Sequence, residues 1–238
     1  MRSRLKKVQT PLHSVRKMNK FLATALALFV SSVTTLSFAQ DIKGDVKAGQ
    51  SKAAMCIGCH GIAGYQASFP EIYKAPMISG QAAKYISNSL LAYQKDERKH
   101  PTMKAISASL SEQDMADLGA YYSQHGVVAG FTLPEKPAKE PSAAVGALIT
   151  KGACVSCHGA NFAKPIDPSY PKIAGQHADY LTVALKAYKT EGNAKVGRSN
   201  GVMAGIAKQY SNAEMKAIAG YVSSLPGDLK TVRQSPFK

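Results

Sequence analysis

Apolar residues recur at helical spacing in two matched stretches of the 238-residue chain, residues 81–94 and 176–190. In the second, Tyr180, Val183, Ala184, Ala187 and Tyr188 fall at that spacing. Ser111 and Ser211 each stand three residues before an acidic side chain, Asp114 and Glu214, which is the start signal of a capping box. The helices they open carry Met115, Leu118 and Tyr122, or Met215, Ile218 and Val222, on one face. Shorter helices are predicted over residues 46–54 and 143–152. Residues 95–104 and 191–204 are rich in Pro, Gly, Asn and charge and read as loops. No β-rich pattern appears, so the hydrophobic pattern predicts an all-α fold.

These elements come in the same order twice. Pro76-Met-Ile-Ser-Gly-Gln81 matches Pro171-Lys-Ile-Ala-Gly-Gln176, and Tyr85 and Tyr93 match Tyr180 and Tyr188 at the same offset. Met103 then matches Met203, Met115 matches Met215, and Tyr121 matches Tyr221. The chain is an internal duplication. Residues 131–142 between the copies hold three prolines and four charges and form an extended, fairly stiff linker. The predicted organisation is a leader over residues 1–39, one domain over 41–130, the linker over 131–142 and a second domain over 143–238.

The formal net charge of +15 changes its meaning once the N-terminus is read. Residues 1–20 hold seven Lys and Arg and no acidic residue. The apolar run of residues 21–30 follows, then Ser37-Phe38-Ala39. A basic segment, a short apolar run and a small-x-small site make a secretory signal peptide. The run is well short of the roughly 20 residues that a spanning helix needs. Cleavage after Ala39 leaves 23 basic and 15 acidic residues, about +8, and an expected location in the periplasm. The basic residues are scattered and no nucleic-acid motif is present, so a nucleic-acid partner is not expected. Docking on an acidic redox partner and a plain solvated surface both fit the charge. Peripheral association with a membrane is compatible with the same surface.

The chemistry lies in Cys-x-x-Cys-His, present as Cys56-Ile-Gly-Cys59-His60 and Cys154-Val-Ser-Cys157-His158. The two motifs use all four cysteines. A zinc ribbon would pair two such knuckles about 15–20 residues apart, not 98, and a thioredoxin-like redox pair expects a βαβ context. The pattern reads as c-type haem attachment. On a helical turn the two sulfurs share a face and reach two vinyl groups along one porphyrin edge. The following histidine then binds the iron from the proximal side. Two haem c groups are expected, held by Cys56, Cys59, Cys154 and Cys157, with His60 and His158 on iron.

For the other face of each iron the candidates are a Met, a His or an open position. His100, His125 and His177 do not align between the repeats, whereas two methionine pairs do. Met115 and Met215 sit on an amphipathic face and suit core filling. Met103 and Met203 sit in the predicted loops and are the favoured ligands, because Met/His ligation is the cytochrome c solution.

The two Cys-x-x-Cys-His motifs, Phe69-Pro70 and Tyr170-Pro171 ahead of Ile-x-Gly-Gln, the late methionines, Leu110-Ser111-x-x-Asp114-Met115-x-x-Leu118-x-x-Tyr121 and the segment from Gly197 to Met203 together resemble the di-haem cytochromes of the c4 type. The resemblance runs from about Asp45 to Leu225. It implies two tandem class I cytochrome c domains, each wrapped around one covalent haem. It also implies an electron carrier, not an enzyme, with a haem–copper terminal oxidase as acceptor and a quinol–cytochrome c oxidoreductase or a small cytochrome as donor. In such domains a proline carbonyl accepts the proximal His Nδ1–H. Carried over, Pro76 orients His60 and Pro171 orients His158, fixing ring orientation and ligand basicity. The first copy departs by an insertion over residues 71–75. Gln81, Gln176, Tyr85, Tyr180, Arg98 and Arg198 could reach haem propionates, but suit plain surface or core equally well. The alternatives are the cytochrome subunit of a larger dehydrogenase, such as a sulfide-oxidising flavocytochrome, and a di-haem enzyme such as a peroxidase or thiosulfate dehydrogenase, which would need an open or unusually ligated iron.

Overall fold

Two capping boxes set the frame. Ser111 Oγ accepts from Asp114 N at 3.2 Å while Asp114 Oδ2 accepts from Ser111 N at 2.9 Å. Ser211 and Glu214 repeat the pair at 3.2 and 2.7 Å. These caps start the closing helix of each repeat in a computed structural model that describes residues 42–233. The predicted leader lies outside the described residues.

The first repeat runs α1 (Val46–Lys52), α2 (Ala54–His60), β1 (Gln66–Ala67), β2 (Tyr73–Lys74), α3 (Ala83–Gln94), β3 (Arg98–Lys99), α4 (Pro101–Ala108) and α5 (Glu112–Gln124). The second runs α6 (Ala143–Lys151), α7 (Val155–His158), α8 (Ala178–Lys189), β4 (Gly197–Arg198), α9 (Gly201–Ala207) and α10 (Asn212–Ser223). Each repeat has its own apolar core. Ile86, Leu90, Met115 and Leu118 close the first. Phe162, Leu181, Met215, Ile218 and Val222 close the second. Met115 and Met215 are 2% and 0% exposed, so they fill core, as their amphipathic face implied.

The loops predicted over 95–104 and 191–204 are corrected in part. Met103 and Met203 lie in the first turns of α4 and α9, not in loops. The local reason is legible afterwards. Pro101 stands at the first helical position, where its missing N–H costs nothing, and His100 and Asn200 serve as N-caps. The strand residues within those segments also pair: β3 and β4 run antiparallel, with Arg98 opposite Arg198, and join the two repeats.

Three further contacts dock the repeats. The inserted residues of the first copy lie in and beside an antiparallel β1–β2 hairpin, in which Ala67 faces Tyr73. Lys74 Nζ meets Asp179 at 3.2 Å and Glu71 meets Lys186 at 2.5 Å, so the hairpin grips α8. The end of the second repeat returns to the first, where Lys230 N donates to Ser79 O at 3.0 Å. The linker is strapped to the second repeat: Leu133 is buried, Asn161 Nδ2 donates to Pro134 O at 2.6 Å, and Tyr221 OH donates to Lys139 O at 2.8 Å. Among the described residues, no helix is long and apolar enough to cross a membrane.

Candidate cofactor sites

The fold brings all ten residues singled out from the sequence to the wall of one cavity of about 620 Å³ that reaches into both repeats. Met115 and Met215 are not on that wall, and neither are His125 and His177. The last two have other work. His125 Nδ1 pairs with Ser79 Oγ at 2.9 Å, and His177 stands at the N-cap position of α8 without a side-chain capping bond.

In each half, a short helix ends in the histidine of Cys-x-x-Cys-His. Cys56, Cys59 and His60 all belong to α2, while Cys154 is the N-cap of α7, which holds Cys157 and His158. All four cysteines are free of disulfides. His60 Nδ1 donates to Pro76 O at 2.7 Å and His158 Nδ1 to Pro171 O at 3.0 Å. A proton held on Nδ1 leaves the Nε2 lone pair for a metal. Burial pushes both imidazoles below their ordinary pKa, so they stay neutral and fit for ligation.

Met103 and Met203 line the same cavity. His100 Nδ1 accepts from Met103 N at 3.4 Å, and Asn200 Oδ1 accepts from Met203 N at 2.9 Å. The His100 cap bears on its use as a ligand. With Nδ1 accepting, the neutral ring carries its proton on Nε2, so neither nitrogen has a lone pair free for iron. Met103 offers a thioether from the next turn instead.

The β3–β4 pair carries the remaining polar feature. Tyr180 OH accepts from Arg98 Nη2 at 2.8 Å and from Arg198 Nη2 at 3.1 Å. The Arg98 guanidinium also lies 4.6 Å over the Tyr93 ring, and Arg198 lies 5.3 Å over Tyr188. Burial alone would raise the Tyr180 phenol, but the two guanidiniums win and hold it at about 8. Among the described residues neither arginine meets a carboxylate at ion-pair distance, and Arg98 Nε is buried without a partner. Two like charges facing one cavity, with a donor to spare, fit a group that brings carboxylates of its own. Haem, with two propionates, is such a group. The thiols, neutral imidazoles, thioethers and apolar wall fit the rest of it. In sequence Arg98, Arg198 and Tyr180 suit surface or core equally well, because only the strand pairing brings them together.

The family model for cytochrome c matches residues 46–125 and again residues 143–226. The molecule is therefore a tandem c-type cytochrome with two haem c groups. It is 32% identical to cytochrome c4 of Azotobacter vinelandii over 219 residues, spanning 87% of this chain and 100% of that one. It is 30% identical to a thiosulfate dehydrogenase electron acceptor of Stutzerimonas stutzeri, over 86% of this chain and 94% of the other. The crystal structure of reduced recombinant cytochrome c4 from Pseudomonas stutzeri superposes with a TM-score of 0.55 at 28% identity, covering 77% of this chain and 100% of that chain. The chain belongs to the di-haem cytochrome c4 family of electron carriers.

Proposed function

We propose that this carrier works in the periplasm, taking electrons from a quinol–cytochrome c oxidoreductase or a small cytochrome and delivering them to a haem–copper terminal oxidase. The observation that carries the reading is the doubled donor set. Each repeat presents a neutral histidine and a methionine to one cavity, which together would saturate an iron and leave it no position for a substrate. When bound, the haems supply reversible one-electron iron chemistry, and Met/His ligation raises its potential towards that of an oxidase partner. Cys56 and Cys59, and Cys154 and Cys157, tether the groups as thioethers. His60 and His158 would ligate the irons, and the Pro76 and Pro171 carbonyls hold the Nδ1 protons and so fix both rings. Met103 and Met203 would supply each iron's second protein ligand. The apolar wall excludes water, and Arg98 and Arg198 hold propionate charge at the junction of the repeats. The signal peptide read over residues 1–39 supports export, and an excess of surface lysine would steer a brief encounter with an acidic partner.

A second reading has one observation in its favour, the relative that serves as an electron acceptor for thiosulfate dehydrogenase. In that reading the same carrier docks on a sulfur-compound dehydrogenase. Oxygen uptake by oxidase-containing membranes supplied with reduced protein tests the proposal. Uptake is expected, and it should slow as ionic strength rises. No uptake, with turnover of peroxide or thiosulfate by the purified protein alone, would contradict a carrier. No uptake, with rapid reduction by a thiosulfate or sulfide dehydrogenase, would favour the second reading.

A further inference from the structure

Each repeat reaches across the boundary and holds the segment that orients the other repeat's histidine. Gln81 Nε2 donates to Lys172 O at 2.9 Å, and Lys172 N donates back to Gln81 Oε1 at 2.9 Å. Gln176 Nε2 donates to Met77 O at 2.9 Å, and Met77 N donates back to Gln176 Oε1 at 3.0 Å. Lys172 directly follows Pro171, and Met77 directly follows Pro76, whose carbonyls receive the Nδ1–H of His158 and His60. Both glutamines are buried, at 4% and 3% exposure. Each Oε1 also accepts from its own next backbone N–H, Ala82 or His177, so each amide is fixed by three bonds. Gly80 and Gly175 supply the turn beneath them at φ +84 and +74, where a side chain is strained. A Cβ at Gly80 would also lie 2.4 Å from the Asp228 carbonyl oxygen.

We propose that Gln81 and Gln176 are reciprocal positioning residues, each tuning the iron site of the opposite repeat through the backbone that carries its proline. This rests on the reading of His60 and His158 as the proximal ligands. A histidine whose Nδ1–H is firmly accepted is the more basic ligand and favours ferric iron. Loosening the proline carbonyl should therefore raise the potential of the site it serves. Gln81→Ala should draw the electron of a half-reduced molecule towards the second repeat, and Gln176→Ala towards the first. The loss of one net hydrogen bond sets the scale, about threefold to tenfold in the partition constant.

The experiment measures that partition by spectroelectrochemistry, together with proton NMR of the proximal Nδ1–H and haem-methyl signals assigned to each repeat. It uses full-length holoprotein in wild-type form and in the variants Gln81→Ala, Gln176→Ala and Gln81→Glu. The glutamate variant keeps the acceptor and loses the donor, so it should move the same signals by less. Lys186→Met, which breaks the boundary contact with Glu71 and lies on neither proline segment, should move neither. The expected result is crossed: Gln81 variants shift the His158 signal, and Gln176→Ala shifts the His60 signal. A shift confined to the substituted repeat, equal shifts in both repeats, a Lys186→Met effect of the same size, or no shift would each overturn the brace while leaving the ligand reading intact. A wild-type protein without proximal-histidine signals from two haems would overturn the ligand reading beneath it.

Discussion

The two repeats agree in the donors they bring to the cavity and differ in how each pins its opening helix. Both end a short helix on the Cys-x-x-Cys-His histidine, give its Nδ1–H to a proline carbonyl, and place a methionine in the first turn of a capped helix. They part in the anchoring of the opening helix. The first repeat pins its opening helix with Lys52, held 2.6 Å from Asp114 and 2.5 Å from the buried Asp117. Asp117 also receives Asp45 N and Gln113 Nε2, both at 2.8 Å. Gly49 lets the two helices approach so closely that a Cβ there would sit 2.0 Å from the Asp117 carbonyl oxygen. In the second repeat Ala217 stands where the first has Asp117, and apolar packing does the work: Ile149, Met215 and Val222 are all buried in one cluster. Duplication kept what holds the cofactor and let the scaffold drift, which is the expected outcome if chemistry needs fixed donors and stability only needs enough burial.

The largest break in the symmetry should come from Cys154→Ala with Cys157→Ala. Intact mass should fall by one haem while the first repeat stays coloured. Loss of both haems would mean that the repeats cannot load separately. Next, Met115→Ala and Met215→Ala should each cost about 2–5 kcal/mol in denaturant unfolding, since both side chains are fully enclosed. Neither should change the ligand-field spectrum. A smaller effect is expected at Asp117→Asn, about 1–3 kcal/mol, from a carboxylate whose partners stay behind. Burial pushes that carboxyl up, but the hydrogen bonds from Lys52, Asp45 N–H and Gln113 win and hold it below the ordinary range. Its contribution is therefore complete above about pH 4 and is lost as pH falls through the depressed folded value. Acid unfolding should weaken the first repeat's clasp, and Asp117→Asn should flatten that dependence. The smallest effect concerns the potentials. The proximal bond is shorter in the first repeat, 2.7 against 3.0 Å, so the first haem should be the weaker oxidant and the second should be reduced first. Domain-resolved NMR during a redox titration reads the order directly.

The sequence carried the duplication, the helix starts and the donor set because these are local signals. A Cys-x-x-Cys-His motif, a Ser three residues before an acid, and a methionine recurring at a fixed offset need no tertiary knowledge. Met103 and Met203 were placed in loops because composition outweighed the capping signal of His100, Pro101 and Asn200. What joins the repeats was illegible for a different reason. Gln81 and Gln176 bond to backbone atoms of the other copy, and any residue presents the same N–H and C=O. Arg98 and Arg198 meet through a two-residue strand pair too short to leave a periodic trace. The inserted hairpin appeared in sequence only as a departure from the repeat, whereas in the fold its Lys74 and Glu71 grip α8.

The central claim is that each repeat ligates its iron with one histidine and one methionine from matched positions. The near-infrared absorption of the oxidised protein tests it most directly, because the weak band there reports Met–Fe(III) ligation and its intensity counts the sites. The account predicts a band equivalent to two methionine-ligated irons per chain, about halved in Met103→Ala and again in Met203→Ala, and unchanged in Met115→Ala. A band that survives Met103→Ala at full strength, or that counts one iron or none in the wild type, would contradict it.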